Sequence, residues 1–283
     1  GDKAPLEILL GVSRAVEQDF AKDVEFTIVG DENVIKSLAA EHKIDISKYE
    51  IKHTDVVLTM ENEPQVIMKE KKNSSMGLGL QLLASGEGDA FVSAGNTGAL
   101  FSGSSLIVKR LPGIQRAGIG AIPPLTNPMI LLDSGASVRP NEDYMTGFAV
   151  MGSAYMKAIY GVDSPRVGLL NNGTEDSKGT ELQIEAYKLL TDSPSLNFVG
   201  NIEANMVPKD ACDVLVTDGF TGNILLKSIE GMGKMMLRTM KDIFYSDTLA
   251  KISGLLIKKK INDVKAVFDP NNILNPGKVC HNI

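Results

Sequence analysis

Six short runs rich in β-branched and other apolar residues constrain this chain more than any other feature. They are Val24–Val29, Ala90–Ser93, Met129–Leu132, Val167–Leu170, Leu196–Val199 and Val214–Thr217, each stopped by Gly, Asp or Asn and most followed by helical spacing. Strands apolar on both faces need cover on both sides, and parallel neighbours need long crossovers, which helices supply. The pattern therefore predicts an α/β protein with a largely parallel sheet between helices. No Pro/Ser-rich or low-complexity stretch interrupts it, so any second subdomain is expected to be integrated rather than tethered. A chain of 283 residues with 43% apolar content builds a core without staples, and 2 cysteines exclude a disulfide scaffold. A formal net charge of −6 argues against a nucleic-acid-binding face.

The uncharged stretch Ala90–Val108 carries Gly95, Gly98, Gly103, four serines, Asn96 and Thr97. It is too polar for a bilayer span of about 20 apolar residues. The start, Gly1-Asp2-Lys3-Ala4-Pro5, lacks the basic flank and apolar stretch of a secretory signal, and with so few cysteines the expected location is the cytoplasm.

One internal echo points to a site. Asp89-Ala90-Phe91-Val92-Ser93-Ala94-Gly95-Asn96-Thr97-Gly98 and Asp213-Val214-Leu215-Val216-Thr217-Asp218-Gly219-Phe220-Thr221-Gly222 share the pattern D-x-x-V-[S/T]-x-G-x-T-G. Each reads as a strand running into a glycine turn, with Thr-Gly starting the next helix. In open parallel sheets such turns gather at the carboxyl ends of strands, where helix N-termini bind anions. Ser93, Gly95, Asn96 and Thr97, with Asp218, Gly219, Thr221, Gly222 and Asn223, are thus candidates for a phosphate-sized cradle. Turns that need glycine only for their backbone conformation are the plainer alternative. A third strand-loop-helix unit, from Val167 to Leu182, places Lys178 between Gly173 and Gly179. Its charge suits a bound phosphate or a developing oxyanion; the alternative is a solvated lysine paired with Glu175 or Asp176.

Only His42, His53 and His281 are present, none in a glycine turn or at metal-ligand spacing from a cysteine. Histidine-dependent nucleophilic catalysis and a zinc site have no support, and no metal is expected. Cys212, just ahead of the run Val214–Thr217, reads as a packed small hydrophobe. What remains is a reaction in which a bound anion is the nucleophile or the transferred group.

Several segments resemble the bacterial phosphate acyltransferase family of phospholipid synthesis. They are Gly1–Pro5, Lys71–Met76, Ser93–Ala99, Leu132–Ala136, Ser164–Asn171, Glu175–Gly179, Gly200–Glu203 and Thr217–Asn223, in family order up to about Phe268. The resemblance implies a homodimeric three-layer α/β/α, Rossmann-like fold related to isocitrate dehydrogenase and phosphotransacetylase. It implies transfer of a fatty acyl group from acyl-[acyl carrier protein] to inorganic phosphate, with no cofactor. The family's essential loop lysine maps to Lys178, while Asp2 and Asp218 would orient the cradle. It further implies a single domain over residues 1–268, missing a first strand that the family has ahead of Gly1, and a divergent tail over 269–283 that looks like the end of flavin-linked oxidases.

Two departures stand out. Asp133-Ser134-Gly135-Ala136-Ser137 replaces the family's Asp-Val-Gly-Ala-Asn, and Asn205-Met206 replaces an Arg-Asp pair. They keep open a non-catalytic module that binds carrier protein or lipid, and a phosphotransacetylase-like acyl-CoA:phosphate transferase remains the second enzymatic reading. The basic residues Lys69, Lys71, Lys72, Lys109, Arg110 and Arg116 suit an acidic partner such as the carrier protein. The apolar stripe Ile229, Met232, Met236, Met240, Ile243 and Phe244 reads as core or dimer packing. Leu249–Ile257, followed by Lys258-Lys259-Lys260, reads as either a membrane-surface helix or dimer packing. The first of these would bring the protein to the inner face of the membrane and to a membrane glycerol-phosphate acyltransferase.

Overall fold

A computed structural model describes residues 4–137 and 139–244, with the side chains of Phe20 and Phe244 excepted. The chain divides into two compact units, residues up to Gly113 and residues from Ile114 onward. Asp2, the proposed membrane stretch 249–260 and the tail boundary at residue 268 lie outside the described residues.

In the first unit α1 (Leu6–Ala15) precedes β1 (Thr27–Gly30), α2 (Glu32–Glu41), β2 (Glu50–His53), α3 (Ser75–Ser85) and α4 (Thr97–Gly103). β1 and β2 pair in parallel, Thr27 opposite Glu50. Helix α2 starts where the Asp31 carboxylate accepts the N–H groups of Asn33 and Val34. Helix α3 starts at Ser74, whose hydroxyl accepts the Gly77 N–H, and stops at Gly86 in the left-handed region. Leu9, Ile28 and Ile35 form one apolar cluster, and Ile67, Met76, Leu80 and Ala99 another.

The expected strand Ala90–Ser93 does not form. Phe91 alone turns inward, its ring lying where a Cβ on Gly79 would stand, while Val92 is 93% exposed. The Ser93 hydroxyl accepts the Gly95 N–H, a local turn that competes with ladder pairing. The echo between the two glycine turns is thus one of sequence: only the second follows a strand.

The second unit contains β3 (Gly120–Ala121), β4 (Ile130–Leu132), α5 (Glu142–Tyr160), β5 (Arg166–Asn171), α6 (Glu181–Thr191), β6 (Asn197–Glu203), β7 (Val214–Val216) and α7 (Gly219–Phe244). Its sheet has the order β3-β4-β7-β5-β6, with β4, β7, β5 and β6 parallel and β3 antiparallel on the edge. Helices α5 and α6 cover one face through Met145, Phe148, Met156, Ala186 and Leu190. Helix α7 covers the other through Leu225, Leu226 and Ile229, against Leu131, Leu170 and Leu215. This is the three-layer α/β/α arrangement, with a mixed sheet. Beyond Ile229 the stripe leaves this core: Met232 and Ile243 are each 60% exposed and Met236 46%.

At the amino end of the sheet Arg166 binds β5 to the segment before β7. Its side chain reaches both Asp213 carboxylate oxygens, at 2.9 and 3.1 Å, and the Asp210 carbonyl at 2.8 Å. Burial pushes the Asp213 carboxyl up, but the hydrogen bonds and charge of Arg166 outweigh it and hold it below the usual carboxylate range. A folded-state value below the unfolded one, about 3.9, means the pair stabilises above about pH 4 and loses this as pH falls through the lower folded value. Replacing Arg166 with Ala is expected to cost about 2 kcal/mol at pH 7, less than a fully buried pair because the guanidinium is partly exposed. Thermal unfolding at pH 7 and pH 2.5 checks this: the gap between parent and variant should shrink at the lower pH. Next to the pair, Cys212 is buried with Sγ 3.8 Å from the Met129 sulfur, and burial pushes its thiol up to about 12. It is a packing residue, as its position in the sequence suggested.

Candidate functional site

The carboxyl ends of β4, β7 and β5 stand side by side, and each opens into a loop. After β4 the chain turns sharply around Asp133, which is fully buried. One carboxylate oxygen accepts the N–H groups of Ile119, Gly135 and Ala136 at 2.9 to 3.1 Å, and the other accepts that of Ser137 at 2.7 Å. This carboxylate holds together the loop 133–137. The two serines that depart from the family pattern are engaged in it: Ser134 Oγ donates to the Ile119 carbonyl, and Ser137 Oγ accepts from Arg116 Nε, each at 3.0 Å.

After β7 the chain enters α7 directly at Gly219, two residues earlier than the Thr-Gly start expected from sequence. Asp218 caps the helix: its carboxylate accepts the Thr221 N–H at 2.8 Å and the Thr221 hydroxyl at 2.6 Å. The Gly219 N–H donates to the Ser137 carbonyl at 2.8 Å and the Gly222 N–H to the Asp218 carbonyl at 2.9 Å. Both glycines are demanded by close approach. A Cβ on Gly222 would lie 2.0 Å from the Asp133 carbonyl oxygen, and one on Gly219 would lie 2.8 Å from the Ser137 nitrogen. Three donors expected to face an anion are therefore spent inside the protein, fixing the start of α7 onto the 133–137 loop. Asn223, one turn in, is exposed, and its side-chain amide has no hydrogen-bond partner among the described residues.

Lys178 sits in the loop between β5 and α6. Its stem packs over Gly173, where a Cβ would stand 2.9 Å from the lysine Cγ. Lys178 is exposed and forms no ion pair among the described residues, so the alternative pairing with Glu175 or Asp176 is not found. The loop closes through Gly179 at φ +95 and a capping box between Thr180 and Gln183 that starts α6.

In the first unit the other glycine turn is equally knit. Asn96 is buried; its Oδ1 accepts the Ala99 N–H at 3.0 Å, and its Nδ2 donates to the Thr59 and Asn62 carbonyls. Its amide therefore caps α4 and ties it to the 59–62 turn, and Thr97, the first residue of α4, is exposed. Of the basic residues, Lys71 Nζ donates to the Val57 carbonyl, while Lys69, Lys72, Lys109 and Arg110 are exposed. Among the described residues no three His, Cys, Asp or Glu side chains gather as a metal-ligand set, and no helix is long and apolar enough to cross a membrane.

The second unit thus presents a buried carboxylate organising one loop, a capped helix start locked to it, and, without an ion pair or side-chain hydrogen bond among the described residues, the exposed Lys178 and the Asn223 amide at one sheet end. An ammonium near fixed loops can hold an anionic reactant and stabilise a developing oxyanion. Sequence reading missed Asp133 as an organising residue, although an acidic residue directly after an apolar run is a visible signal. It also missed Asn171 and Asn201, which contact the lysine loop.

Comparison with known proteins bears on the family and the fold. A family model described as fatty acid synthesis protein matches residues 1–280. A phosphate acyltransferase of Streptococcus thermophilus is 40% identical over 273 residues, 95% of this chain and 80% of its own length. The phosphate acyltransferase of Bacillus subtilis is 38% identical over 275 residues, 96% of this chain and 81% of its own. Among solved structures, the EutD phosphotransacetylase from Staphylococcus aureus superposes with a TM-score of 0.51 at 18% identity, over 81% of this chain and 87% of that one. The last likeness concerns the fold.

Proposed function

Since this chain belongs to the fatty acid synthesis protein family, we propose that it is a phosphate acyltransferase that makes fatty acyl phosphate from acyl-[acyl carrier protein] and inorganic phosphate. A phosphate oxygen attacks the thioester carbonyl carbon, a carbon–oxygen bond to phosphate forms, and the carbon–sulfur bond breaks as the carrier's thiolate leaves. A thiol of pKa about 8.5 leaves without a strong general acid, so the reaction asks little of histidine. It asks for a charge that holds phosphate and steadies the tetrahedral oxyanion.

The observation that carries the reading is Lys178, an exposed residue with no ion pair among the described residues, on the loop that leaves β5 at the same end of the sheet as the start of α7. Lys178 serves as the catalytic residue and the Asn223 amide as a second phosphate donor, while Asp218, Gly219, Thr221 and Gly222 shape the helix start around them. Of the first-unit candidates Ser93, Gly95, Asn96 and Thr97, the Gly95 N–H is taken by Ser93 and the Asn96 amide by Ala99, Thr59 and Asn62, which leaves the Thr97 N–H and the Ser93 hydroxyl proton as the donors for an anion. The exposed basic residues Lys69, Lys72, Lys109 and Arg110 fit an acidic carrier protein. The exposed methionines of α7 fit pairing with a second copy. The proposed setting is the cytoplasm, at the inner face of the membrane, handing acyl phosphate to a membrane glycerol-phosphate acyltransferase.

The test is acyl phosphate formation, trapped with hydroxylamine, from long-chain acyl carrier protein, from long-chain acyl-CoA, and without donor. Phosphate-dependent product from the carrier-protein thioester is expected. Clear preference for acyl-CoA would overturn the carrier-protein reading, and absence of product from either donor would overturn the enzyme.

A further inference from the structure

Lys178 works only if its loop is held, and two asparagines from adjacent strands hold it. Asn171 Nδ2, at the end of β5, donates to the Lys178 carbonyl at 3.0 Å. Asn201 Nδ2, from β6, donates to the Glu175 carbonyl at 2.7 Å, the same carbonyl that accepts the Lys178 N–H at 3.1 Å. The lysine's peptide is fixed on both sides. Asn201 is only 4% exposed and its Oδ1 has no hydrogen-bond partner among the described residues, a penalty that an apolar residue would avoid. Its orientation also depends on a local irregularity. Opposite Val167 and Gly168 of β5, β6 presents Phe198 and then Gly200, so that one residue is extra. Phe198 packs in the α5/α6 cluster and Ile202 in the α7 cluster, although their even spacing would place them on one face. The bulge reverses the alternation, and Asn201 consequently faces the layer where the Lys178 loop enters α6.

We propose that Asn201 is a positioning residue for the acyl transfer, acting through Lys178 by fixing the Glu175 carbonyl that the lysine N–H shares. This rests on the acyltransferase reading. The test is a double-mutant cycle of Asn201→Leu with Lys178→Ala, joined to hydrogen exchange over residues 172–180. In the parent background Asn201→Leu is expected to lower kcat/KM about thirtyfold, the scale of a displaced catalytic group. In the Lys178→Ala background the same change should lower it less than about twofold, because nothing remains to be misplaced. Exchange in the 172–180 segment should quicken at least about tenfold while that of α5 stays put, as expected of a local opening. Equal losses in both backgrounds, or unchanged exchange of the loop, would overturn the inference. If the parent chain turns over no substrate, the acyltransferase reading fails separately, and the exchange measurement still decides whether Asn201 holds the loop.

Discussion

Replacing Lys178 with Ala is expected to lower kcat/KM about 10²- to 10³-fold, the range measured when one preorganised oxyanion donor is removed. The size follows from what remains. Asp218 brings a negative charge to the start of α7, and the Gly219, Thr221 and Gly222 N–H groups are already taken, so an anion at this sheet end depends on side-chain cations: Arg116 is engaged with Ser137, while Lys178 forms no ion pair among the described residues. Stability should not follow activity: the side chain is exposed and unpaired among the described residues, and surface changes of this kind usually stay within about 0.5 kcal/mol. Steady-state kinetics beside thermal melts separate the two effects. Loss of melting temperature in parallel with activity would make the lysine a prop of its loop, and activity within threefold of the parent would remove it from the chemistry.

The second large effect is structural. Asp133→Ala removes a fully buried acceptor of four backbone N–H groups. Such losses amount to about 4 kcal/mol in sum, since the buried Ser137 N–H carries its full desolvation penalty and the three part-buried N–H groups lose about 1 kcal/mol each. For a chain of this size that corresponds to about 10 °C in Tm. Asp133→Asn should cost about half as much: one amide oxygen still accepts, but the NH2 now faces the Ser137 N–H. Calorimetry of the three proteins tests the ordering, and equal melting of Asn and Ala variants would show that the charge, rather than the acceptor geometry, holds the loop.

Much of this architecture is written into the sequence for a simple reason. Runs such as Met129–Leu132, Val167–Leu170 and Val214–Val216 are buried on both faces, so their positions hold apolar residues or glycine. The missed strands lack that pressure: Glu50-Ile51-Lys52-His53 is largely polar, and Gly120–Ala121 is a two-residue edge. Ala90–Ser93 misleads for the opposite reason, being apolar enough for a strand while only Phe91 meets a core. At the site, Asp218-Gly219-Phe220-Thr221-Gly222 announces a capped helix start, and Lys178 between two glycines announces a loop cation. Where the donors point was not legible. A glycine turn with free N–H groups looks the same in sequence as one whose N–H groups serve a neighbouring loop, and the difference lies in Ser137, more than 80 residues away from Gly219. Asn201 was hidden for a related reason, because a one-residue bulge reverses which face it occupies and no local residue type reports the parity.

The contact of Gly222 with the Asp133 carbonyl has a mechanical side. Helix α7 has 26 residues, about 39 Å at the usual rise, and its first turn has no slack against the loop that Asp133 organises. Such a rod is a lever with its fulcrum at the candidate site. A tilt of about 5° at the glycine end carries the far end by about 3 Å. Whatever meets the exposed methionines thus sits on the same helix whose first turn packs against the loop 133–137, with Leu225, Leu226 and Ile229 seated on the sheet between them.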